Sequence, residues 1–168
     1  MQQMRGWLVA GVVLGALAGM TARADEAKEE KVPLDKVPKA VLDAVKAKFK
    51  DAELVGAEKE NEKGKVVYEI NLKVKGQTIE VSATPDGKIV SIEKTIAVKD
   101  LPKAVAEALD SKYPKATIKI VEEITHGEKL SYEVLLVTAD KKTLEVVFDP
   151  AGKVLEEEKK DKKEEKKD

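Results

Sequence analysis

The feature that most constrains this chain is that it repeats itself. Pro38-Lys39-Ala40-Val41 returns as Pro102-Lys103-Ala104-Val105, and Tyr68-Glu69 returns as Tyr132-Glu133, both sixty-four residues on. Thr84-Pro85-Asp86-Gly87-Lys88 returns as Asp149-Pro150-Ala151-Gly152-Lys153 sixty-five residues on, so one residue is added in the loop near Lys141. A period of this size means one supersecondary unit used twice. The copies span 32–95 and 96–158.

Each copy has the same grammar. Val41, Ala44, Val45 and Phe49 form one helical stripe, and Val105, Ala108, Leu109 and Tyr113 repeat its spacing. Pro38 and Pro102 suit a helix start. Strands then follow at 53–60, 66–75, 78–84 and 88–93, with counterparts that include 117–125 and 153–157. Along 117–125, Ile118, Ile120 and Ile124 are expected on one face. Gly76-Gln77 reads as a hairpin loop, which pairs Ile70 with Ala83, Leu72 with Val81 and Val74 with Ile79 on the inner face. In the second copy a loop at 140–142 pairs Thr138 with Leu144, Leu136 with Val146 and Val134 with Phe148, and sets Leu135 against Val147 on the outer face. The fold class is therefore α+β: two tandem repeats, each one helix packed on a four-stranded antiparallel sheet. Modules of this size have small cores, so the two should support each other through an interface.

The ends differ from the repeats. Residues 1–24 read as a secretory signal peptide. Arg5 precedes the uncharged run from Trp7 to Met20, and Ala22-Arg23-Ala24 matches a small-x-small cleavage pattern. That run is shorter than the ~20 residues a membrane span needs, so no stable membrane anchor is expected after cleavage following Ala24. The destination is the periplasm or the exterior. Residues 25–31 form a charged leader, and 159–168 are expected to be a disordered charged tail.

Composition excludes several chemistries. The chain has 168 residues, with 31 Lys+Arg against 32 Asp+Glu. This balance gives no basic face for nucleic acid. It has no cysteine and one histidine, which removes disulfides, thiolate catalysis and multi-histidine metal sites. His126 lies in the segment Thr125-His126-Gly127-Glu128 with no matching residue in the first copy, and reads as a loop histidine. No serine sits in a nucleophile context, and the glycines lack phosphate-cradling spacing. No catalytic residue, metal or cofactor is expected.

The outer sheet face separates the copies. Where the first carries Asn71, Lys73 and Ser82, the second carries Leu135, Val137 and Val147. These three aliphatic residues are candidate partner contacts, because exposed apolar clusters mark interfaces. Packing against the other module is the alternative.

The repeated motifs also resemble a family. Leu101-Pro102-Ala104-Val105 at a helix start, Tyr113-Pro114 at its end, Tyr132-Glu133, and the turn from Asp149 to Lys153 are similar to the PepSY-like family. That group resembles the PepSY domains of protease propeptides and the β-lactamase inhibitor protein. The first copy matches through Val37-Pro38-Ala40-Val41, Phe49-Lys50, Tyr68-Glu69 and 84–88, and departs from the pattern at Lys50 and Thr84. The resemblance implies an exported, non-enzymatic module that binds an exported protein and inhibits or modulates a secreted or periplasmic enzyme. The alternative is an envelope protein of structural or stress-related role without a specific enzyme target.

Overall fold

The computed structural model describes residues 28–62 and 65–160; the expected signal peptide and the last eight residues lie outside them. Strand β1 (Lys28–Lys31) is followed by helix α1 (Lys39–Lys48) and strands β2 (Glu53–Glu62), β3 (Lys65–Val74), β4 (Gln77–Ala83) and β5 (Ile89–Thr95). Helix α2 (Lys103–Lys112) and strands β6 (Thr117–His126), β7 (Lys129–Val137), β8 (Thr143–Phe148) and β9 (Val154–Lys160) follow. Among the described residues, nine strands form one antiparallel sheet in chain order. The fold is α+β with two short helices, but the expectation of two separate four-stranded sheets is corrected: the second copy continues the ladder of the first. The interface between the copies is backbone pairing of β5 with β6, from Ser91–His126 to Thr95–Glu122. The leader contributes β1, and β9 runs on to Lys160.

Both helices cover the same face. Val41 and Val45 of α1 are buried against Ile70, Leu72, Ile79, Val81 and Ala83. Val105 and Leu109 of α2 are buried against Val134, Leu136, Val146 and Phe148. Burying each such side chain stabilises the fold by about 1.5–3 kcal/mol. Phe49, Tyr68, Tyr113, Tyr132 and Phe148 all pack into these two cores, as the alternation implies. Gly87 and Gly152 explain the repeated turn motif. Each has positive φ, and a Cβ there would overlap the carbonyl of Ala40 or Ala104 in the first turn of the adjoining helix.

Both hairpin registers differ from the sequence expectation, and for one reason. The first loop is Lys75-Gly76, with φ of 51° and 84°. Two consecutive positive-φ residues make the turn whose twist matches the strands. Ile70 therefore faces Val81, and Leu72 faces Ile79. In the second hairpin Thr138 N–H bonds Lys142 O and Lys141 takes φ 66°, so the loop is 139–141. Leu136 faces Leu144 and Val134 faces Val146. Each register moves by two residues, which leaves every side chain on its expected face. A bulge does change one face assignment. The register shifts between Ile118 and Ile120, so Ile118 packs into the helix-side core while Ile120 lies opposite Leu135 on the other face. The equivalent bulge between Leu54 and Gly56 recurs in the first copy.

Candidate binding face

The helix-free face of the sheet carries the candidate contacts. Leu135 faces Glu145, Val137 faces Thr143, and Val147 faces Glu133. Leu135 and Val147 are thus diagonal neighbours and not a direct pair. They are also not exposed: Leu135 is 8% and Val147 4% accessible, while Val137 is half-buried. Ile124, on the same face, is 3% accessible. None of the three buried residues belongs to either helix-side core. They lie on adjoining strands β6, β7 and β8, on the face opposite both helices. The bulges in β2 and β6 bend and twist a sheet of this kind.

Along this face runs a feature that sequence reasoning missed. Glu58 lies directly opposite Glu69, Glu80 opposite Glu93, Glu122 opposite Glu133, and Glu145 opposite Glu158. The second two pairs are the first two displaced by sixty-four or sixty-five residues. The signal was present in the repeat: Glu69 and Glu133 belong to a recurring Tyr-Glu motif, read there only as a fold marker. Extending the same offsets would have recovered all eight glutamates. Like charges directly opposite in a sheet are destabilising, so four repeated instances run against the ordinary requirements of the fold.

The carboxyls respond as crowded, dehydrated acids. Glu133, only 5% accessible, is pushed up to about 9, first by burial and then by Glu145, Glu122 and Glu93, with Lys160 pulling the other way. Glu93 rises to about 8 through burial, then Glu122, Glu69, Glu60 and Glu145. Glu80 rises to about 7 through burial, then Glu93, Glu122 and Glu58, against a hydrogen bond with Glu69. Burial also raises Glu122 and Glu145, each partly offset by a hydrogen bond, from Thr95 and Lys160 respectively. One Oε2 each of Glu80, Glu93 and Glu133 is buried with no hydrogen-bond partner. Glu93 on β5 feels Glu60 on β2 and Glu145 on β8, each about 14 Å away in a flat sheet at ~4.8 Å per strand. Curling draws these groups together.

At the β9 edge the pair Glu145/Glu158 carries an ammonium. Lys160 Nζ stands 3.0 Å from Glu145 and 2.8 Å from Glu158. Its equivalent in the first copy is Thr95, whose hydroxyl donates to Glu122 Oε1 at 3.3 Å. His126 is exposed at the end of β6, opposite Ser91 and Lys129. Among the described residues no group of three acidic or histidine side chains is disposed to hold a metal ion, and no helix is long and apolar enough to cross a membrane.

Comparison with known proteins agrees with this architecture. Residues 24–91 and 76–156 match a family described as "Putative beta-lactamase-inhibitor-like, PepSY-like". A "putative periplasmic" protein from Bacteroides eggerthii superimposes with a TM-score of 0.64 at 20% identity, over 73% of this chain and 88% of its own. A DUF2874 family protein from Bacteroides uniformis gives 0.63 at 17% identity, over 73% and 88%. A BLIP-like protein from Bacteroides fragilis gives 0.58 at 22% identity, over 72% and 84%. These likenesses are of fold. No curated protein matches.

Proposed function

This chain belongs to the PepSY-like family, and from that premise we propose that it is an exported, non-enzymatic module that binds a protein partner through the helix-free face of its sheet. The observation that carries this reading is the face itself. It holds buried aliphatic residues and four opposed glutamate pairs, and neither helix lies on it. Features that cost stability and recur in both copies point to a role outside folding. Val137 is the accessible aliphatic contact, and Leu135 and Val147 form the floor beside it. The partner is an exported enzyme, which the module inhibits or modulates by occupying it. The periplasmic description of the B. eggerthii structure supports the same compartment for this chain, with the signal peptide cleaved after Ala24.

Crosslinking capture from a periplasmic extract of the source cell tests this. The protein is run beside a Val137→Lys variant whose melting temperature shows that it is folded. One exported enzyme enriched by the native protein and lost with the variant is the expected result, followed by inhibition of that enzyme on titration. No enriched partner across several growth conditions overturns the reading in favour of a structural envelope role.

A further inference from the structure

The partner's chemistry is written in the difference between the two copies. In the second, the pair Glu145/Glu158 holds the ammonium of Lys160. In the first, the equivalent pair Glu80/Glu93 has Thr95 where that lysine would be, and Thr95 turns its hydroxyl to Glu122 instead. Glu80 and Glu93 each keep a buried Oε2 without a partner. Beside them Glu133, 95% buried by its 5% accessibility, presents a third unpartnered Oε2 to the same cluster. Lys160 shows what completes a pair on this face: one primary ammonium bridging two carboxylates.

We infer that the two central pairs, Glu80/Glu93 and Glu122/Glu133, are a binding site for lysine side chains carried by the protein partner. The inference rests on the partner-binding reading above and specifies what that partner must present. Charge complementarity favours this occupant. Unpaired buried carboxyls are costly, and a charge-assisted hydrogen bond from an ammonium satisfies the atoms that are now bare. The groups facing the site are Glu58, Glu60 and Glu69 on one side and Glu145 and Lys160 on the other. Lys73 on β3, diagonal to Glu80, shares the face with Lys160, but the acids outnumber these two ammoniums, so the field across the site attracts a cation. Because crowding keeps these carboxyls partly protonated, an arriving ammonium displaces protons, and binding strengthens as pH rises.

Calorimetric titration of the protein with hexalysine at low ionic strength tests the site. Glu80→Gln with Glu93→Gln removes the charges with little change of shape. Thr95→Lys supplies an internal ammonium in the place Lys160 occupies in the other copy. Each is expected to weaken hexalysine binding about tenfold or more. Glu107→Gln with Asp110→Asn, on the exposed side of α2, removes the same charge elsewhere and should change it less than about twofold. Wild-type binding should be tighter at pH 8 than at pH 6. Undiminished binding in both site variants overturns the inference. So does an equal loss in the α2 control, which would mean diffuse attraction only. Spermidine binding more tightly than hexalysine would reassign the site to a free polyamine. Tighter hexalysine binding after Lys162, Lys163, Lys166 and Lys167 are changed to Gln would make the chain's own C-terminal segment the occupant. The two readings fail separately: an enzyme captured equally well by the Glu80→Gln/Glu93→Gln variant sinks only the ammonium site, whereas capture of nothing sinks the partner reading.

Discussion

The two copies agree on one face of the sheet and part company on the other. On the helix side the central core positions of one copy meet apolar counterparts in the other: Val41 and Val105, Val45 and Leu109, Ile70 and Val134, Leu72 and Leu136, Val81 and Val146; at the outer strand Ile92 is replaced by Glu157. On the helix-free side Asn71, Lys73 and Ser82 stand where the second copy has Leu135, Val137 and Val147, and Thr95 stands where it has Lys160. The four glutamate pairs are shared by both copies across that face. The helix side is held by what folding needs, since a helix can bury its stripe only on a complementary apolar surface. The other side is free to differ, and the second copy has used that freedom to close itself: aliphatic burial and an internal ion pair satisfy most of its face. The first copy leaves its face polar and one carboxyl oxygen each of Glu80 and Glu93 without a partner.

Substitutions can break this contrast. Leu135→Lys with Val147→Lys puts two ammoniums into buried positions and should lower stability by about 3 kcal/mol or more. Asn71→Lys with Ser82→Lys, at the equivalent places in the first copy, should stay within about 0.5 kcal/mol. Equal melting of the two variants in thermal denaturation would erase the distinction between the faces. The helix side should show no such asymmetry. Gly87→Ala and Gly152→Ala each force a Cβ onto a helix carbonyl and strain a positive φ, so each should cost about 2–3 kcal/mol, alike in both copies.

Acidity sharpens the comparison further. Glu80, Glu93 and Glu133 titrate at about 7, 8 and 9 in the fold, against 4.5 ordinarily. The folded chain therefore holds more protons than the unfolded one between pH 4.5 and about 9, and stability must fall as pH rises through that window. The melting temperature is therefore expected to be lower at pH 9 than at pH 5, by several degrees or more. A flat profile would show that the carboxyls are not crowded. The smallest effect separates the pairs. At pH 8 Glu80→Gln with Glu93→Gln should stabilise by about 1 kcal/mol, because it relieves repulsion. Glu145→Gln with Glu158→Gln should destabilise by a similar amount, because it strands Lys160. The same sign for both variants would contradict the assignment of a filled and an open pair.

Much of this was legible in the sequence because the repeat made every assignment twice. The helices, the strand order, the inward aromatics and the turn glycines all followed from period and turn chemistry. The hairpin registers were displaced because Lys75 and Lys141 adopt positive φ, a conformation lysine rarely takes and sequence does not advertise. Ile118 is separated from Ile120 and Ile124, which share the other face, because a bulge breaks alternation without a marker residue. The exposure of Leu135 and Val147 was misjudged because curl is a property of the whole sheet and of no single strand. The glutamate pairs escaped for a different reason. Opposition across strands appears only once register is known, and a charged residue in a strand ordinarily means solvent.

A sheet that doubles by adding a copy along its edge still presents two outer strands, β1 and β9, among the described residues. β1 consists wholly of lysine and glutamate, and β9 carries three successive glutamates before its two lysines. Another molecule approaching β9 with its own β9 would bring glutamate runs into register, and like charges facing across a new ladder oppose its formation. The same composition that looks like an uninformative fringe thus disfavours pairing of this edge with a second copy of itself.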